Sequence, residues 1–100
     1  MKSAKFEELV SKNPGNELFR FSLGQAYNEE GKHEEAIESL NICLNKNREW
    51  MVAAILKGKS LIALDRKEEA KTVLENALHL AIDQHHETPE AEVRKLLADL

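Results

Sequence analysis

A chain that resembles itself at a fixed interval of 20 to 50 residues is confined to a small set of stacked architectures, and this 100-residue sequence does so at an interval of 34. Shifting it by 34 superimposes Gly24 on Gly58, Glu34-Glu35-Ala36 on Glu68-Glu69-Ala70, Leu40 on Leu74 and Leu44 on Leu78. The small and apolar matches fall where a helix-turn-helix unit needs close packing, while the positions that would face solvent have diverged. A unit of this kind cannot bury its apolar face alone, so neighbouring units must stack on one another.

The periodicity within each unit is helical. From Glu17 to Glu30, Leu18, Phe21, Leu23, Ala26 and Tyr27 recur at helical spacing, and Gly31 can take the left-handed conformation that ends a helix. Ala36, Leu40, Cys43 and Leu44 form a second stripe, with Glu34, Glu35 and Glu38 outside it. The next unit repeats the plan through Ala54, Ile55, Leu61 and Ile62, then through Ala70, Val73, Leu74, Ala77, Leu78 and Ala81. Asp65 replaces the turn glycine; it either accepts the left-handed turn or caps the following helix with Glu68 as its capping-box partner, and the capping role is favoured. Gly24 and Ala36 are expected where the two helices of the first unit cross. Phe6, Leu9, Val10 and Pro14 lie 34 residues before Leu40, Cys43, Leu44 and Arg48, so the chain opens on the second half of a unit. At the other end, Thr88 before Pro89 predicts a helix start, and Val93, Leu96, Leu97 and Leu100 make the stripe of a final helix that covers the last unit. Abundant Glu, Lys, Leu and Ala, with only four Gly and two Pro, agree with an all-α chain.

Leu23-Gly24-x2-Tyr27, Gly31 and Ala36-x3-Leu40, followed at weaker match by Gly58-x2-Leu61 and Ala70-x3-Leu74, resemble the signature of the tetratricopeptide repeat family. The resemblance covers about residues 2–84 and departs from the pattern at Lys57, in the family's leucine slot, and at Asp65. A lysine in that slot must snorkel past its neighbours or find a carboxylate, or else mark a local rotation of the helix. The implied fold is a right-handed superhelix of antiparallel helix pairs with six helices: a half-repeat over 2–14, repeats over 17–50 and 51–84, and a capping helix over 88–100. In this family the first helix of each pair lines a concave face that binds proteins or peptides. Carried over by the 34-residue register, that face comprises Leu18, Phe21, Gln25, Asn28 and Glu29 from the first repeat and Val52, Ile55, Lys59, Ile62 and Ala63 from the second, with Glu29 and Ala63 left out of the eight residues assigned to partner binding. It is unusually apolar. Phe21 and Ile55 stand where family members that clamp a chaperone's C-terminal carboxylate tend to be polar, which disfavours that ligand. Trp50 is placed to staple the entry of the following helix against apolar neighbours. The expected function is a protein-interaction module; the alternative is a structural or homo-oligomerising piece, a homodimer for instance, whose concave face is covered by its own helices or by a second copy.

Other function classes find little support. Cys43 lies on a buried stripe, no nucleophile is paired with a base, and the glycines stand singly rather than in a phosphate loop. His79, Asp83, His85 and His86 lack the spacing of a metal site. Neither catalysis nor a cofactor nor a metal is expected. The net charge of -4, with acidic and basic residues interleaved, offers no footprint for nucleic acid. No stretch approaches the roughly 18 apolar residues of a membrane span, and a single cysteine suits a reducing compartment, so a cytoplasmic location is expected.

Overall fold

The computed structural model describes residues 1–100 as six helices: α1 Lys2–Lys12, α2 Glu17–Glu29, α3 His33–Lys46, α4 Met51–Ala63, α5 Lys67–Asp83 and α6 Glu87–Ala98. Each helix packs on the next, and α2 also touches α4. This neighbour-to-neighbour order makes a stack of antiparallel pairs measuring 38 × 27 × 20 Å. The core runs between the layers, with Leu40, Cys43 and Ala53 in one cluster, Ile37, Leu61 and Ala70 in another, and Met51, Ile55, Leu74, Ala77, Ala81 and Val93 beneath α6.

Three turns share one construction. Gly31, Asp65 and His85 all have positive φ, at 78, 59 and 57°. The amide after each reaches back to a carbonyl in the helix just ended: Lys32 to Tyr27 at 2.8 Å, Arg66 to Leu61 at 2.9 Å and His86 to Ala81 at 2.9 Å. These bonds satisfy carbonyls that a helix end leaves free. Asp65 therefore takes the left-handed position and does not cap α5, contrary to the sequence expectation; the N-cap of α5 is Arg66, without a side-chain cap bond. Ending α4 and starting α5 compete for the same residue, and the turn prevails although a non-glycine pays roughly 1–2 kcal/mol there. The same turn at His85 sets the start of α6 earlier than Thr88. That helix begins at Glu87 after an N-cap at His86, leaving Thr88 and Pro89 inside its first turn. Proline is accepted there because the first four amides of a helix have no intrahelical partner.

Gly58 and Gly24 set the spacing within the two complete pairs. A Cβ on Gly58 would lie 2.5 Å from Leu74 Cδ2 and 2.7 Å from its Cγ, whereas one on Gly24 would lie 3.0 Å from the same two atoms of Leu40. Both leucines are fully buried, as are Ala36 and Ala70 one turn earlier on α3 and α5. The glycine thus faces Leu40 and Ser39, with Ala36 extending the same close contact.

Lys57 is half-buried on the side of α4 away from Val52 and Lys59. In the first pair the matching position is Leu23, which is buried. Burial lowers the Lys57 pKa, partly opposed by the nearby Glu69. At the N-terminal end, α1 is held by a polar contact instead: Ser3 donates to Glu30 from its amide at 2.9 Å and from its hydroxyl at 2.7 Å. Those two bonds hold the Glu30 carboxyl below the usual carboxylate range, helped by Lys32. Across α3 and α4 the equivalent positions are Ile37 and Leu64, which pack apolar against each other's cluster.

Two outcomes follow from this packing. Gly58→Ala gains about 1 kcal/mol of helix propensity but overpacks a site that cannot relax, at about 1–3 kcal/mol. Urea unfolding should therefore find Gly58→Ala less stable than wild type by about 1–2 kcal/mol, and Gly24→Ala within about 0.5 kcal/mol of it. Second, Glu30 has a lower pKa folded than unfolded, so its contribution is complete above the ordinary carboxyl pKa and is lost as pH falls through the folded value. The difference in Tm between wild type and Glu30→Gln should be present near pH 7 and close as the pH falls below about 4.3.

Candidate interaction groove

Between α2, α4 and α6 lies an open groove of about 300 Å³. Its floor is Phe21, Val52, Ile55 and Leu56, and its rim is Gln25, Lys59, Thr88, Pro89 and Glu92. Helical spacing explains the grouping: Phe21 and Gln25 are one turn apart on α2, as are Val52 and Leu56, and Ile55 and Lys59, on α4. The Lys59 ammonium meets the Glu92 carboxylate at 3.0 Å, an ion pair across the groove between α4 and α6. Both side chains are about half exposed, so the bridge adds little stability but fixes where charge sits on the rim.

The eight residues assigned to this face by sequence register divide into three groups. Phe21, Gln25, Val52, Ile55 and Lys59 line the groove together. Leu18 lies one turn before Phe21, outside the groove proper, and is 69% exposed. Asn28 and Ile62 are spent on the fold: the Asn28 amide donates to the hydroxyl of the buried Ser60 at 2.6 Å, tying α2 to α4, and Ile62 packs against two core clusters. Ile55 also belongs mainly to the core, being only 6% exposed, and offers the groove an edge. At the margin Glu29 is taken by Lys2 of α1 at 3.2 Å, while Ala63 is exposed.

Trp50 stacks on Phe21, with ring centroids 5.0 Å apart and planes inclined by 26°. It fastens the start of α4 to α2 and backs the Phe21 ring that lines the groove. Neither terminal helix closes the face. Val52 remains 50% exposed, and α1 bounds a separate hollow of about 290 Å³ with Lys2, Lys5, Phe6, Ser22 and Glu29, which shares only Gln25 with the groove.

Sequence reasoning missed Thr88, Pro89 and Glu92. The available signal was spacing, since α2, α4 and α6 start at residues 17, 51 and 87, so α6 takes the place of a third groove-lining helix. Elsewhere the Cys43 thiol is buried and pushed up to about 11 by that burial, which makes it a poor nucleophile. The histidines and carboxylates form no group of three arranged to hold a metal ion. No helix is long and apolar enough to cross a membrane.

Comparison with known proteins accords with this fold. The family model described as Anaphase-promoting complex, cyclosome, subunit 3 matches residues 3–77. A TPR repeat-containing protein of Pseudomonas aeruginosa is 29% identical over 94 residues, which span 94% of this chain and 90% of that protein. Among solved structures, the protein BPP2914 from Bordetella parapertussis superimposes with a TM-score of 0.87 over 99% of this chain and 86% of that one, at 23% identity. The first TPR of Spaghetti (RPAP3), bound to the HSP90 peptide SRMEEVD, superimposes with a TM-score of 0.78 over 94% of this chain and 73% of that one, at 24% identity. With a family model spanning three quarters of its length and helix pairs closed by the motif glycines, the chain belongs to the tetratricopeptide repeat family, in the branch described by the anaphase-promoting complex subunit 3 model.

Proposed function

We propose that the chain is a protein-interaction module that takes a peptide or protein segment in the groove between α2, α4 and α6. The observation that carries this reading is the pair of exposed apolar side chains, Val52 at 50% in the groove and Leu18 at 69% one turn beyond Phe21, beside a floor in which Phe21 stacks on Trp50. Apolar side chains left in water next to a preformed hollow favour a partner that covers them. A volume of about 300 Å³ suits one or two large side chains of that partner, with Gln25 able to pair with its backbone. The structural relative that holds a peptide supports a peptide as the class of ligand. Its acidic sequence is a poorer guide, because Lys59, the one cation lining this groove, is already paired with Glu92, and the floor is Phe21 and Ile55.

Three variants separate the groove from the core. Leu18→Glu and Val52→Glu should each stay within about 0.5 kcal/mol of wild-type stability, while Ile55→Glu buries a charge and should lose about 3 kcal/mol or more. In affinity capture from the native host, the Leu18→Glu/Val52→Glu protein should lose partners that wild type retains. Retention of the same partners by the folded double variant would contradict the proposed site. A light-scattering mass that doubles with concentration and falls back to the monomer in the double variant would instead make a second copy the occupant.

A further inference from the structure

The side of the stack opposite the groove carries a second feature that the concave reading does not use. Two open clefts of about 430 and 320 Å³ share Ile37, Asn41 and Arg66, the larger running along α3 and the smaller lying between α3 and α5 over the outer surface of α4. The smaller has an apolar floor of Ile37, Leu61 and Val73, with Lys57 standing in it. In the first repeat the Lys57 position is a buried leucine, Leu23, so the cation occupies a place built for an apolar side chain. Glu69 is the one carboxylate lining this cleft, and both of its oxygens are taken by Arg66, at 2.5 and 2.8 Å. Lys57 itself takes part in none of the chain's ion pairs.

We propose that this outer cleft is a second docking site, which takes a protein segment presenting a carboxylate beside an apolar side chain, the carboxylate pairing with Lys57 and the apolar group resting on the half-buried Val73 and the edge of Ile37, over a floor that Leu61 closes. Charge complementarity selects the occupant. A half-buried ammonium whose nearest carboxylate is committed elsewhere gains most from an incoming anion, and the apolar floor favours an anion with an aliphatic neighbour over a bare one. The adjoining cleft carries Glu34, Glu35 and Glu38, all exposed, which suit a basic residue farther along the same segment and disfavour a uniformly acidic one. Partial desolvation strengthens the pairing relative to a surface ion pair and already lowers the Lys57 pKa; Glu69 and Arg66 are the other charged groups bearing on it. The site is independent of the groove between α2, α4 and α6, since it lies on the opposite side of α4 and shares no lining residue with it.

The test is an NMR titration of the whole chain with N-acetyl-leucine, which carries a carboxylate beside an isobutyl group, in parallel with the uncharged N-acetyl-leucinamide and with acetate. The proposal expects saturable shifts at Asn41, Lys57, Thr72 and Val73 with N-acetyl-leucine alone, at millimolar concentration, and none at Phe21 or Val52. Because the anion favours protonated Lys57, saturation should also move the Lys57 titration midpoint upward, seen at its 13Cε resonance. Lys57→Met places an apolar side chain in the leucine slot, should melt no lower than wild type, and should lose the response at least tenfold. An equal response to the amide, an unchanged response in folded Lys57→Met, or no response to N-acetyl-leucine at 50-fold the concentration of protein up to its solubility limit would overturn the proposal. Acetate binding as tightly as N-acetyl-leucine would overturn the apolar half of it. Loss of binding partners in the Leu18→Glu/Val52→Glu protein leaves this prediction intact, so the two sites stand or fall separately.

Discussion

The approach of Gly58 to Leu74, and of Gly24 to Leu40, is the contact on which the rest of the stack depends. At Gly58 only a residue without a Cβ leaves Leu74 where it stands, while at Gly24 a Cβ would just touch Leu40, and this close approach sets the spacing of each pair. Once a pair is set, its exposed apolar edge needs a neighbour, and each following helix is added to cover the previous one. The resulting line of α2, α4 and α6 along one side is a by-product of this spacing. The groove is what remains between helices whose partners hold them apart.

The layers are joined by different chemistry at equivalent places. Ser3 and Glu30 make hydrogen bonds where Ile37 and Leu64, 34 residues on, make an apolar contact. Ser3 is buried although polar, and Glu30 supplies the acceptor that its hydroxyl and amide need there. Asn28 and Ser60 do similar work between α2 and α4, satisfying a buried hydroxyl while linking two groove-lining helices. Trp50 adds a second tie between α2 and α4 through Phe21. Two fastenings of different kinds, Asn28–Ser60 and Phe21–Trp50, therefore join α2 to α4 without filling the space between the groove walls.

Much of this was legible in the sequence because a repeat states its own packing rule twice. The six helices, Gly31 at a left-handed turn and the buried Cys43 follow from periodicity, whereas the apolar face around Phe21 and Val52 came from the family resemblance carried along the register. What could not be read was any choice between two sound local roles. Asp65 is a good helix cap and a tolerable left-handed residue, and only the geometry of the α4 end selects the second. Thr88-Pro89 is a good helix start, overridden by the turn that closes α5 two residues earlier. Asn28 and Ile62 carry the right register for the concave face, yet register gives direction and not distance, so it could not reveal that Ser60 and the core would claim them. Thr88, Pro89 and Glu92 were invisible because α6 follows α4 by 36 residues instead of 34, which breaks the register on which the assignment was made.

The central claim is that the face between α2, α4 and α6 stays open in the free protein. Methyl NMR with an inert soluble gadolinium chelate measures this directly, by comparing paramagnetic relaxation at Leu18, Val52, Ile55 and Leu74 over a hundredfold range of protein concentration. An open groove gives strong relaxation at Leu18 and Val52, weak relaxation at Ile55 and Leu74, and no change with concentration. Protection of Leu18 and Val52 to the level of Leu74, at any concentration, would mean that the face is already covered and would contradict the account.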